Sequence, residues 1–234
     1  MTTSRDVELK SKDGGTFSAY LTVPDKPNGG AVVVLQEIFG LNANIRRVVD
    51  RLAKDGYIAI APDLFWRQEP GVQLDPSSEA DRLRATALLK GLDQPLAVED
   101  ALAAADHVRQ LAGATGKVGA VGYCLGGKLA YLLAMRPGID ASVSYYGVAI
   151  QAALDQIGKV RCKLLLHIAE QDHLCPGEAQ AAIAAAAAPH ADLISVMNYP
   201  GVGHAFARQG GATFDALSAE RADKATLALL RTQL

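Results

Sequence analysis

Residues 31–35 read Ala-Val-Val-Val-Leu, five apolar positions in succession. A strand facing water on one side alternates apolar and polar residues, so an unbroken run implies a strand covered on both faces. Tyr57–Ala61 is a second buried strand, Lys117–Val121 is strand-like, and Ala141–Tyr146, Lys163–Ile168 and Leu193–Tyr199 read as further strands. Helical periods separate them. Ile45, Val48, Val49 and Leu52 share one face before Gly56, and two further patterns cover Ser78–Gly91 and Pro95–Leu111. Another helix runs to Met135, a short one falls near Gln151–Ile157, and longer ones cover Gly177–Ala188 and Ala212–Leu230. At the N-terminal end, Arg5–Lys10 and Thr16–Val23 flank Asp13-Gly14-Gly15, a hairpin signal. Asp63–Asp75 has no period and reads as a long loop. Alternating strands and helices require parallel pairing through right-handed crossovers. The expectation is an α/β fold class: a mostly parallel sheet with helices on both faces and an N-terminal antiparallel hairpin. No Pro-, Gly- or Ser-rich linker divides residues 1–234, so one α/β domain is expected.

Composition narrows the function. Lys and Arg total 23 against 25 Asp and Glu, a net charge of −2. No bulk basic field exists to draw in nucleic acid or an acidic membrane surface, and a small-molecule partner fits better. No apolar window approaches the roughly 18 residues of a membrane helix, and Met1–Gly15 carries charges of both signs rather than a leader's apolar run. Cys124, Cys162 and Cys175 are odd in number and widely spaced, which points to a reducing, cytoplasmic setting without disulfides. No metal-ligand spacing occurs, so neither metal nor cofactor is expected, and the chain is read as a monomer.

The chemistry starts at Gly122-Tyr123-Cys124-Leu125-Gly126-Gly127, which follows a buried strand and opens a helix. This is a strand–nucleophile–helix elbow with cysteine in the nucleophile position. Its glycines permit a sharp turn, and the helix N-terminus favours a thiolate and an oxyanion. A merely buried cysteine among packing glycines is the bland alternative. In this architecture the acid and the base follow the nucleophile in the chain. Asp172 lies in the loop after the Lys163–Ile168 strand, and His204 lies after the last strand. His173 competes for the base's role from within the acid's own loop, whereas His167 falls inside a buried strand and suits a hydrogen-bonded core position. Glu37, in Gln36-Glu37-Ile38-Phe39-Gly40, would sit poorly solvated near the sulfur and could exchange a proton with it. A helix N-cap is its alternative role.

These segments together resemble the dienelactone hydrolase family of α/β-hydrolases. The matching pieces are QEIFG at 36–40, APDLFWRQ at 61–68, GYCLGG at 122–127, SYYGV at 144–148, QDH at 171–173 and GHAFAR at 203–208. The resemblance implies a carboxymethylenebutenolidase-like lactonase or esterase with Cys124 as nucleophile, His204 as base and Asp172 as its orienter. Glu37 would engage the resting thiol, and the backbone amides of Leu125 and Ile38 would form the oxyanion hole. Arg82 and Arg208 match two arginines that hold a substrate carboxylate, and Phe39 and Tyr145 fall in matching segments that line the pocket. Thr86, Leu89 and Ala205 depart from the Tyr, Trp and Ser of the family's type enzyme, so the substrate is less transferable than the chemistry. A broader small-acyl esterase or thioesterase, and a low-turnover ligand-binding module, are the competing readings.

Overall fold

The computed structural model describes every residue except Ala112. Eight strands form one sheet: β1 (Thr2–Lys10), β2 (Thr16–Pro24), β3 (Ala31–Leu35), β4 (Ile58–Pro62), β5 (Val118–Tyr123), β6 (Ala141–Tyr145), β7 (Lys163–Ala169) and β8 (Ile194–Tyr199). Their spatial order is β1-β2-β4-β3-β5-β6-β7-β8. The β1–β2 hairpin is antiparallel and joins β4 antiparallel; every pair from β4 to β8 is parallel. The helices are α1 (Ala43–Lys54), α2 (Glu79–Gly91), α3 (Gln94–Arg109), α4 (Leu125–Leu133), α5 (Gly177–Ala187) and α6 (Ala216–Gln233). The mixed α/β fold is thus the one expected.

The unbroken apolar run of β3 is explained by its two faces. Ala31, Val33 and Leu35 pack into one core with residues of α3, α4 and α5, whereas Val32 and Val34 pack into the other with α1 and α6. All five are fully buried. Among the described residues no helix is long and apolar enough to cross a membrane.

Two segments differ from the sequence reading. Residues 150–159 are 3₁₀ turns with a kink at Ala153 rather than an α-helix, and the Tyr131 hydroxyl donates to the Ala153 carbonyl at 3.1 Å, in competition with a helical ladder. The last helix begins at Ala216 instead of Ala212. The Asp215 side chain accepts from the Ser218 amide at 2.8 Å and caps it there, leaving 212–215 in a loop. That loop belongs to the site described below.

A buried polar network joins α6 to the carboxyl ends of the strands. The Tyr145 hydroxyl lies 2.9 Å from Asp223 and 2.7 Å from the Thr226 hydroxyl, and Asp223 pairs with Arg51 of α1. His167 contacts Thr226 through Nε2 at 3.0 Å and the Tyr199 hydroxyl through Nδ1 at 2.8 Å, in keeping with its core position. Burial, aided by the Arg221 charge, pushes the His167 pKa down from 6.5 to about 3. The unfolded chain takes up a proton near pH 6.5 that the folded ring refuses until about pH 3. The stability this group contributes is therefore complete above pH 6.5 and is lost as pH falls through that window, at up to about 1.4 kcal/mol per pH unit. His167→Gln should flatten the acid limb of the melting temperature plotted against pH; an unchanged limb would assign acid sensitivity elsewhere.

Candidate active site

Every expected catalytic residue sits at the carboxyl end of a parallel strand, the end where open α/β sheets bind ligands. Glu37 follows β3, Cys124 follows β5, Asp172 follows β7 and His204 follows β8. Cys124 adopts φ 55°, ψ −113°, a left-handed conformation that side chains other than glycine rarely take. The neighbouring glycines enforce the turn. A Cβ on Gly122 would meet the Gly126 carbonyl oxygen at 1.9 Å, and one on Gly126 would meet the Leu35 carbonyl oxygen at 2.2 Å. Helix α4 thus crosses β5 and β3 at a distance that only glycine allows.

His204 Nδ1 lies 2.8 Å from Asp172 Oδ2, and Asp172 Oδ1 accepts from the Leu174 amide at 2.8 Å. Nε2, on the far side of the ring, is buried without a conventional hydrogen-bond partner and has the Cys124 sulfur close by. Burial alone would lower the His204 pKa; the Asp172 hydrogen bond and the adjacent sulfur overcome it and push the pKa up to about 10. That direction favours an imidazolium beside the Cys124 sulfur. His173 is exposed, its ring centroid 6.0 Å from that of His204, and it has no bond to Asp172. Of the two histidines, His204 is the one that Asp172 holds. The amides of Leu125 and Ile38 donate to no backbone carbonyl in the turns around them, leaving both free for an oxyanion.

Glu37 is fully buried and caps no helix; Asn42 caps α1. Its carboxylate does not contact the thiol as the resemblance implied. Arg208 holds it instead, with Nε donating to Oε2 at 2.8 Å and Nη2 to Oε1 at 3.0 Å. Burial would lower the Arg208 pKa, but Glu37 more than compensates and raises it. A buried carboxylate needs such a partner, and the arginine fork supplies two bonds.

A cleft of about 900 Å³ opens beside His204. Its walls include Ala205 and Arg208, Arg82, Gln73–Ser77, residues 209–213, and Asn44 and Arg47 of α1. Arg82 donates to the Pro76 and Ser77 carbonyls at 3.0 and 2.8 Å. The other expected lining residues are placed differently. Thr86 is exposed and donates to its own helix at the Arg82 carbonyl, 2.8 Å away; Leu89 packs against the core. Phe39 is buried beneath the Arg208 guanidinium, 5.2 Å from its ring centroid. Tyr145 does not line the cleft: as the last residue of β6 it points its phenol into the Asp223–Thr226 network, and its carbonyl accepts from the Cys124 amide at 3.0 Å. It supports the nucleophile from behind. Tyr146, one position on, is the tyrosine of the site, with its ring edge-on to His204 at 5.1 Å and its buried hydroxyl unpartnered. Strand alternation could have marked this difference, because adjacent residues at a strand end face opposite sides.

The profile of the dienelactone hydrolase family matches residues 17–234. The chain belongs to that family. It is 38% identical to the carboxymethylenebutenolidase of Pseudomonas putida, over 96% of this chain and 94% of that one. It is 37% identical to carboxymethylenebutenolidase 1 of Cupriavidus pinatubonensis, covering 97% and 96% of the two chains. A solved structure from Klebsiella pneumoniae subsp. pneumoniae, provisionally assigned as a dienelactone hydrolase, superposes with a TM-score of 0.86 at 25% identity, covering 99% of each chain. This family member is a hydrolase acting on ester or lactone bonds.

The three thiols should separate by reactivity. Cys162 and Cys175 are buried, and burial pushes their pKa values up to about 12 and about 11. Iodoacetamide at neutral pH should alkylate Cys124 first, and His204→Ala should slow that labelling about ten-fold or more by removing the imidazolium. Peptide mass mapping reads both; equal labelling of all three thiols would overturn the assignment.

Proposed function

We propose that this enzyme hydrolyses carboxylate-bearing lactones or esters through an acyl-enzyme on Cys124, as a cytoplasmic monomer without metal or cofactor. The observation that carries the reading is the buried chain Asp172–His204, whose free ring nitrogen faces the Cys124 sulfur. The thiolate attacks the carbonyl carbon, and the Leu125 and Ile38 amides take up the negative charge on oxygen. When the carbon–oxygen bond breaks, the leaving oxygen takes the proton from His204, leaving a thioester. His204, now neutral, removes a proton from water as the water attacks the thioester. The carbon–sulfur bond then breaks, restoring thiolate and imidazolium and releasing the acid. Asp172 holds the ring in the required orientation throughout.

Glu37 serves in two ways in this scheme. It balances the Arg208 charge, and in molecules whose thiol has turned away from a neutral His204 it accepts the thiol proton, which passes through solvent to the His204 ring before the leaving oxygen takes it. Glu37→Gln should therefore slow the acylation burst with an activated ester and spare deacylation; an unaltered burst would leave it only the first role. A substrate carboxylate is recognised by Arg82, whose guanidinium is held by two carbonyls and faces the cleft uncompensated, with Arg208 beside the reacting bond. Charge-assisted bonds of this kind contribute about 1.5–3 kcal/mol. A carboxylated lactone should exceed its methyl ester in kcat/KM by about ten-fold or more, and Arg82→Ala should erase the difference. Equal hydrolysis of acid and ester by the wild type would make this a general esterase.

A further inference from the structure

The cleft is larger than one small ring requires. Pockets of about 300–1,000 Å³ enclose drug-sized ligands, and this one, at about 900 Å³, lies near the top of that range. Its cations are also unevenly balanced. Arg208, next to His204, has both Nε and Nη2 occupied by Glu37, so its charge is matched. Arg82 is fixed by neutral carbonyls, which orient it without compensating it. Arg47, an exposed residue of α1, lines the same cleft as His204 and Arg82, and among the described residues it has no ion pair. The acidic groups of its own helix are engaged elsewhere: Asp50 accepts from Ser4, Tyr20 and Thr22. Its neighbours Arg46 and Arg51 are paired with Asp6 and Asp223, so Arg47 is the one arginine of α1 left without a carboxylate among the described residues. Asp75, the acidic residue of the same cleft, keeps its negative charge but is held by the amide and hydroxyl of Ser77 and, among the described residues, forms no ion pair with Arg47 or Arg82. Asn44, one turn before Arg47, also lines this cleft.

We infer that Arg47 is a specificity residue, and that it pairs with Arg82 to seat an anionic group several bonds away from the scissile carbonyl. This rests on the hydrolase reading above and extends it. The favoured substrates are esters or lactones of elongated dicarboxylic acids: the reacting carbonyl lies at Cys124, the chain crosses the cleft, and the distal carboxylate reaches α1. Unmatched guanidinium charge sits where such a carboxylate would arrive, and matched charge sits at the reacting end.

The test is a series of p-nitrophenyl monoesters of linear dicarboxylic acids of increasing length, each beside its distal methyl ester. In the wild type the acid-to-methyl-ester ratio of kcat/KM should rise with chain length to a maximum. In Arg47→Ala that maximum should fall about ten-fold, through KM rather than kcat, with the ratio for the shortest acids changed far less. Arg47→Lys should recover part of it, and Arg47→Glu should depress it further. A length profile in Arg47→Ala that superimposes on the wild type overturns the inference. If the wild type hydrolysed none of these esters, the hydrolase reading itself would fail, and calorimetric binding of the long dicarboxylic acids would still decide on Arg47. Ten-fold weaker binding to Arg47→Ala supports the seat, and equal binding removes it.

Discussion

The close crossing of α4 over the ends of β3 and β5 is the constraint on which the site depends. It forces Cys124 into a left-handed conformation that costs on the order of 1–3 kcal/mol and persists only because its surroundings over-determine it. The Cys124 amide is held by the Tyr145 carbonyl and the Gly126 amide by the Gln36 carbonyl, at 3.0 Å each. The second bond ties the first turn of α4 to the segment that carries Glu37 and Ile38. One hydrogen bond therefore sets the separation of the Leu125 and Ile38 amides, the pair proposed to receive the oxyanion.

Much of this was legible in the amino-acid sequence, for identifiable reasons. The unbroken apolar run of β3 locates it because both its faces are buried, and the sharp turn requires glycines at 122 and 126. The order nucleophile, acid, base follows from the topology. What stayed hidden arises from contacts between distant segments. Nothing local in QEIFG shows that Glu37 will be claimed by Arg208, nor that Gly40 and Gln73 will bridge and bring Gln73–Ser77 to the cleft. Tyr145 and Tyr146 are chemically identical neighbours, separated only by where β6 stops. Residues 150–159 have helical spacing, but a hydroxyl from α4 captures one of their carbonyls.

The near-neutral total charge conceals a strongly patterned interior. Buried Glu37 and Arg208 cancel each other beside the sulfur, whereas among the described residues the exposed Arg47 and Arg82 of the cleft form no ion pair. A nucleophilic anion needs nearby cations that are already committed, lest a substrate anion be drawn onto the reacting atoms. The outer cations must be uncommitted to attract that same anion. The separation of these two demands along one cleft is what charge composition alone could not show.

Catalytic competence in this fold also has a temporal order. The thiol enters the chain well before its base, which follows the final strand, and the polar network that clamps β6 and β7 waits for Thr226 and Asp223 on α6. A chain still emerging from the ribosome therefore carries the Cys124 sulfur before the histidine that comes to lie beside it has been made. The carboxyl-terminal helix works as a late fastener: contacts between segments far apart in the chain form slowly, so the network behind Cys124 closes only after α6 has been made and has packed onto the sheet.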